Sequence, residues 1–87
     1  MNKRDIINNL CFTELVYGRI NKKLNIKLSK QAIEEFIVSI IKETEETYIV
    51  KIGKNIYITN MTNKIKITIN SNTYRLITAD ILSQVSP

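Results

Sequence analysis

The chain has 87 residues, of which 44% are hydrophobic and 24% are charged, and its net charge is +5. A chain of this length supports one hydrophobic core, so we expect a single domain over residues 1–87. No apolar run reaches the roughly 18 residues that a transmembrane helix needs, and the N-terminus lacks the apolar region of a signal peptide. The lone cysteine, Cys11, cannot form an internal disulfide. We expect it to be a small buried hydrophobe in a cytoplasmic protein.

The first half of the chain, residues 3–45, shows the apolar spacing of helices. Up to residue 24 this spacing predicts either a short helix followed by a longer one or one bent helix. Thr13 is a suitable cap for a longer helix that begins near Glu14. The apolar residues at helical spacing in the longer segment are Leu15, Val16, Ile20 and Leu24.

The next helix has the clearest signals in the chain. Ser29 is a good N-cap residue, and an apolar stripe follows from Ile33 to Ile41. Such a stripe must be covered by another element. We expect the second half of the chain to cover it.

From residue 47 to residue 78 the apolar period changes to two, which predicts four strands in an antiparallel β-meander. A three-residue first turn keeps the apolar residues of all strands on one face, whereas a two-residue turn would set Val50 beside Tyr57. After this meander, Asp80 is expected to cap a short C-terminal turn or helix over residues 79–84. The turn-forming residues that separate the predicted strands lie at 53–55, 60–63 and 71–72.

The predicted fold is therefore α+β, with two to three N-terminal helices packed on one face of a C-terminal four-stranded antiparallel β-meander. The face toward the helices should carry Val50, Ile52, Ile56, Ile58, Ile65, Ile67, Ile69, Tyr74 and Leu76. The outward face should carry Ile49, Lys51, Tyr57, Lys64, Lys66, Thr68, Thr73, Arg75 and Ile77.

This outward face is the first candidate binding surface. Lys51, Lys66 and Arg75 are suited to contact phosphates, and Tyr57 offers a ring on which a base can stack. Two other interpretations stay open. The lysines keep a solvated face soluble and prevent edge association, or the apolar residues of the same face form a homodimer surface.

A second candidate surface is the basic end of the longer helix. Residues 15–31 carry no acid, and the cations close enough in sequence to bind an anionic backbone are Arg19, Lys22, Lys23 and Lys27. A helix-turn-helix reader of DNA is disfavoured, because the following helix begins with glutamates where a recognition helix enters the groove.

The third candidate is the last hairpin, in which Asn70 and Asn72 precede Arg75. Asparagine side chains in such a tract satisfy the backbone groups of their own turn. The alternative is a polar recognition tip formed by the two asparagines and Arg75.

Two segments of the chain carry a family resemblance. They are residues 12–24, FTELVYGRINKKL, and residues 67–78, ITINSNTYRLIT. Both resemble a family of small bacterial proteins, the domain of unknown function 3781. The resemblance implies a stand-alone bacterial domain and brings no activity, cofactor or catalytic residue. The polar positions within the matching segments are Arg19, Asn21, Asn70, Asn72 and Arg75.

Composition argues against an enzyme. Histidine is absent, and two glycines far apart in sequence cannot form a phosphate-binding loop. We expect no cofactor and no membrane partner. The sequence favours a non-enzymatic module that binds nucleic acid or another anionic partner through the basic sheet face. The alternative is a protein-interaction module, such as an inhibitor or accessory factor carried by a phage or mobile element, that acts through the same face.

Overall fold

A computed structural model describes residues 2–82 of the chain. Within this range three helices precede a four-stranded antiparallel sheet of order β1-β2-β3-β4, which confirms the predicted α+β fold. The helices are α1 (Lys3–Asn9), α2 (Glu14–Leu24) and α3 (Lys30–Glu43). A short 3-10 helix (Glu46–Tyr48) leads into β1 (Ile49–Ile52), β2 (Asn55–Asn60), β3 (Ile65–Asn70) and β4 (Leu76–Ile81).

Local capping explains where the helices begin. The Ser29 hydroxyl accepts a hydrogen bond from the Ala32 backbone N–H at 3.1 Å, which confirms the predicted N-cap of α3. Thr13 occupies the N-cap position of α2 without a side-chain capping hydrogen bond, and after Leu24 the C-cap residue Asn25 adopts the left-handed conformation, with φ of 55°. Because α1 and α2 are separate, the short-plus-long interpretation of residues 3–24 is the right one.

The core lies between the helices and one face of the sheet. Branched aliphatic side chains dominate it, as the apolar periodicity of the helices and of the last three strands predicts. The helices contribute Ile6, Val16, Ile20, Leu24, Ile33, Ile37, Ile40 and Ile41. The sheet contributes Ile49, Ile56, Ile58, Ile65, Ile67, Ile69, Leu76 and Ala79.

A polar network of two buried side chains borders this core. The Asn60 side-chain amide donates to the Thr44 hydroxyl at 3.0 Å, and that hydroxyl donates to the Ile40 carbonyl at 2.7 Å. Asn60 and Thr44 are both buried. These hydrogen bonds connect the end of α3 to the end of β2. The polar side chains are tolerated in a buried position because their polar atoms are paired.

The predicted register of β1 is wrong. Val50 pairs with Tyr57 across a two-residue turn, so Ile49 is buried whereas Val50 and Ile52 are exposed. Gly53 opens the turn with φ of +60°, a conformation that suits glycine at the first position of a type II′ hairpin turn. The first strand is therefore turned over relative to the prediction.

The later turns also differ from the prediction, but without reversing a face of β3. Ile58 pairs with Ile67 rather than with Ile65, and Ile69 pairs with Leu76 rather than with Tyr74. A β-bulge then leaves Ile77 without a direct partner. β4 continues to Ile81, so residues 79–81 are strand rather than the predicted turn or helix. Residues 83–84 of that prediction lie outside the described residues.

Cys11 also departs from its predicted place. Its backbone joins the sheet, with its N–H bonded to the Tyr74 carbonyl and its carbonyl accepting from the Leu76 N–H. The residue itself is exposed rather than buried. This backbone pairing fixes the connection between α1 and α2 beside the start of β4.

Candidate functional site

The structure does not bring the predicted basic sheet face together. Lys51 pairs with Ile56, whose side chain is in the core, so Lys51 lies on the opposite side of the sheet from Tyr57. Tyr57 and Lys66 do share the open face, with the Lys66 ammonium 5.5 Å from the centre of the Tyr57 ring. Lys66 also stands opposite Asp80 of β4, which reduces the positive charge of this face.

A different pair of basic residues meets at the junction of α2 and β4. Arg19 and Arg75 line one shallow cleft of about 240 Å³ together with Thr13, Leu15, Val16, Leu76 and Ile77. The Arg19 guanidinium donates to the Ile77 carbonyl at 3.3 Å, which leaves most of its N–H groups free. Within residues 2–82 neither arginine forms an ion pair.

The backbone around Arg75 explains how it reaches this cleft. The preceding residue, Tyr74, adopts φ of 57°, a left-handed conformation that bulky residues rarely take. Its N–H is bonded to the Asn70 carbonyl and its carbonyl accepts from Cys11, so both neighbouring segments hold it in place. The strained turn ends the hairpin and sets Arg75 beside α2.

The basic surface continues along α2. Lys22 and Lys23 follow Arg19 by about one helical turn, and both are exposed. Lys23 is 3.4 Å from Asp80 of β4, so part of its charge is compensated. We call the four cations Arg19, Lys22, Lys23 and Arg75 the basic ridge.

Contacts between α2 and α3 fix the position of α2, which carries three of the four ridge residues. The Tyr17 hydroxyl donates to Glu34 at 2.7 Å, and Lys30 pairs with Glu14. The hydrogen bond to Glu34 raises the pKa of Tyr17 to about 12. The Tyr17 ring also stacks on Phe12, with ring centroids 5.8 Å apart. These two glutamates are thereby engaged on the α3 side of α2.

The Asn70 side chain serves the turn of the last hairpin itself. The Asn70 side-chain oxygen accepts hydrogen bonds from the N–H groups of Asn72 and Thr73 at 2.8 and 3.0 Å. This is the turn-satisfying arrangement that the sequence offered as one of two interpretations. The Asn72 side chain is exposed beside it.

One feature beside the basic ridge was absent from the sequence predictions. Leu15 was placed in the apolar stripe of α2, yet it is 83% exposed at the mouth of the cleft. Its neighbour Val16 takes the core position instead, together with Ile20 and Leu24. The spacing of Val16, Ile20 and Leu24, each four residues apart, is the signal that would have excluded Leu15.

Comparison with known families identifies the chain. The profile of the family described as "Protein of unknown function (DUF3781)" matches residues 4–80. The chain belongs to the DUF3781 family. The match covers all three helices and most of the sheet, which confirms the resemblance seen in the sequence. Comparison with curated proteins and with solved structures finds no match.

The two segments that carry the DUF3781 resemblance are neighbours in space. Residues 12–24 form the start and body of α2, whereas residues 67–78 form the hairpin that leads into β4. They meet where the Arg19 guanidinium contacts the Ile77 carbonyl, and Cys11, which immediately precedes the first segment, pairs with Arg75 of the second. The basic ridge is thus built from both segments.

A membrane-crossing role finds no support in the described helices, since none in residues 2–82 combines the length and apolar character that a bilayer span requires.

Proposed function

We propose that this DUF3781 protein is a non-enzymatic binding module that holds nucleic acid along the basic ridge. The observation that carries the proposal is the convergence of Arg19 and Arg75 on one cleft without a carboxylate partner in the described part of the chain. Guanidinium groups bind phosphate oxygens in a bidentate manner, which makes arginine well suited to a phosphodiester backbone. A cytoplasmic setting belongs to this proposal, because a chain with one cysteine needs no oxidising compartment.

The ridge is suited to a linear polyanion rather than to a single phosphate. Its cations run along one edge of the sheet, from Arg75 at the start of β4 to Lys23 near the end of α2. The cleft between the arginines is shallow and open, so it would touch a backbone from one side without enclosing a small ligand. We therefore expect contact with the backbone and little base readout.

Salt dependence is the direct test of this proposal. If Arg19, Lys22 and Arg75 each neutralise one phosphate, the slope of log affinity against log salt is about −2 for single strands and about −3 for duplex. Affinity should then fall about twenty- to fortyfold between 50 and 200 mM salt. Fluorescence anisotropy with labelled single- and double-stranded DNA and RNA measures this slope.

Charge-removing variants locate the binding surface. Arg75→Gln and Arg19→Gln should each weaken binding and lower the salt slope by about 1. Lys51→Gln is the matched control, because Lys51 is also exposed but lies on β1, away from the ridge. Absence of binding to all four nucleic acids, or equal losses from Lys51→Gln and Arg75→Gln, would reject the ridge as a nucleic-acid site.

A protein partner at the ridge is the second candidate, and the exposed Leu15 favours it. A charged phosphodiester backbone has no apolar surface against which an aliphatic side chain can pack, whereas protein interfaces combine arginine with apolar contacts. Leu15→Ser should leave nucleic-acid affinity unchanged if the first proposal holds. If a protein partner is identified, Leu15→Ser should weaken the complex with that partner.

A further inference from the structure

The open face of the sheet, opposite the core, carries an aromatic ring. Ile56 and Ile58 of β2 point into the core, so Tyr57 between them lies on the open face. Its row across the sheet continues with Thr68 of β3 and Thr78 of β4. Tyr57 is half-buried there, whereas the two isoleucines beside it are fully buried. The ring is therefore reached from the solvent side of the sheet.

Two neighbouring side chains orient the Tyr57 ring. The Asn55 side-chain amide donates to the Tyr57 hydroxyl at 3.2 Å, and the Lys66 ammonium lies 5.5 Å from the ring centre. Because the ring is oriented before a ligand arrives, little side-chain entropy is lost when a planar group stacks on it. Aromatic rings on an open sheet face are the groups on which proteins stack the bases of single-stranded nucleic acids.

The positive charge beside the ring is free to bind a phosphate. Lys66 stands opposite Asp80 of β4, but the ion pair of Asp80 is with Lys23, at 3.4 Å. Among the described residues the Lys66 ammonium has no carboxylate within ion-pair distance. A base that stacks on Tyr57 would take the place of this ammonium over the ring, and the ammonium would contact the phosphate of that nucleotide instead.

The ring and the basic ridge are close enough to contact one strand. Neighbouring strands of a sheet lie about 4.8 Å apart, so Tyr57 on β2 is about 10 Å from β4. Arg75 precedes Thr78, the residue of β4 in the Tyr57 row, by three positions, or about 10 Å along the chain. The backbones of Arg75 and Tyr57 are thus about 14 Å apart, a distance that about four nucleotides span at the roughly 3.4 Å spacing of stacked bases.

We propose that the nucleic acid held along the basic ridge is single-stranded and that one of its bases stacks on Tyr57. This inference rests on the proposed function of the ridge and adds to it the class of nucleic acid. In a duplex the bases are paired and stacked inside the helix, whereas the bases of a single strand can turn outward onto a side chain. Stacking on one ring discriminates little among bases, so binding should tolerate changes of sequence.

Affinities for matched single and double strands test this proposal. The probes are a labelled DNA strand of about 12 nucleotides and the same strand annealed to its complement, measured by fluorescence anisotropy. Tyr57→Leu should weaken single-strand binding about five- to 150-fold and leave duplex affinity unchanged. Its salt slope should equal that of the wild type, because no charge is removed. Tyr57→Phe keeps the ring and should retain the single-strand affinity of the wild type.

Tyr48→Leu is the matched control, because Tyr48 is an exposed tyrosine in the 3-10 helix before β1 and should change neither affinity. If Tyr57→Leu does not fold, NMR of the wild-type chain replaces it: the ring-proton signals of Tyr57 should move when the single strand is added and stay in place when the duplex is added. Binding of neither probe would reject the ridge and this proposal together. If the probes bind but Tyr57→Leu changes neither affinity, or weakens both equally, stacking on Tyr57 is overturned and the ridge proposal stands.

Discussion

Replacing each glycine with alanine should have opposite effects on stability, because Gly18 lies in a helix interior whereas Gly53 lies in a turn with positive φ. A Cβ atom added at Gly18 or at Gly53 meets nothing within 4 Å, so sterics with neighbouring residues play no part. Gly53 has φ of +60°, and holding an alanine at this sparsely populated position costs about 1–3 kcal/mol. The lower entropy of the unfolded alanine variant returns about 0.4–1 kcal/mol. The net loss of stability for Gly53→Ala is then about 1–2 kcal/mol.

Gly18→Ala is the matched substitution, because Gly18 lies on an exposed face in the middle of α2. Alanine in a helix interior is favoured over glycine by roughly 0.5–1 kcal/mol, so this variant should be more stable than the wild type. Thermal and urea unfolding measure both effects, and 1 kcal/mol corresponds to roughly 4–8 °C in a domain of this size. If Gly53→Ala proves as stable as the wild type, then the two-residue turn that sets the register of β1 is incorrect.

Two further predictions concern side-chain hydroxyl groups. Within residues 2–82 the Thr78 hydroxyl is buried without a hydrogen-bond partner, so Thr78→Val should stabilise the protein by about 1 kcal/mol. Thr44→Val removes a hydroxyl that is bonded to Asn60 and Ile40, so it should destabilise the protein by about 1–3 kcal/mol. Urea unfolding that gave both changes the same sign would contradict this difference. Because the pKa of Tyr17 is raised to about 12 from an unfolded value of about 10, the stability that its hydrogen bond contributes is complete below pH about 10 and is lost as the pH rises toward about 12. An absorbance titration of tyrosinate should show a late step that Tyr17→Phe abolishes and that Glu34→Gln moves to lower pH. A late step that survives Tyr17→Phe would show that the step belongs to another group.

Local signals predicted most of the fold. Ser29 marked the start of α3, and the isoleucines of β2 and β3 alternate with polar residues, so their faces were unambiguous. β1 was different because Ile49, Val50 and Ile52 place apolar residues on both of its faces. Alternation could not choose between those faces. The turn could, since Gly53-Lys54 has the glycine-first chemistry of a two-residue turn.

The candidate site was harder to predict, because it depends on contacts between distant parts of the chain. Arg19 and Arg75 were each singled out from the sequence, but on separate surfaces. They meet because Cys11 pairs its backbone with the residues on either side of Arg75, which brings α2 alongside β4. The spacing of apolar residues along the sequence does not predict a backbone pairing between such distant residues. The left-handed Tyr74 that directs the chain there is likewise unexpected for a tyrosine.

The claim that the basic ridge holds a nucleic-acid backbone is tested most directly by mapping the contact on the protein. Amide chemical shifts of ¹⁵N-labelled protein can be followed by NMR during titration with a short single-stranded oligonucleotide. The largest shifts should fall in α2 from Leu15 to Lys23 and at Arg75 and Ile77 where β4 begins. Shifts confined to the hairpin of β1 and β2, or no shifts at low salt, would contradict it.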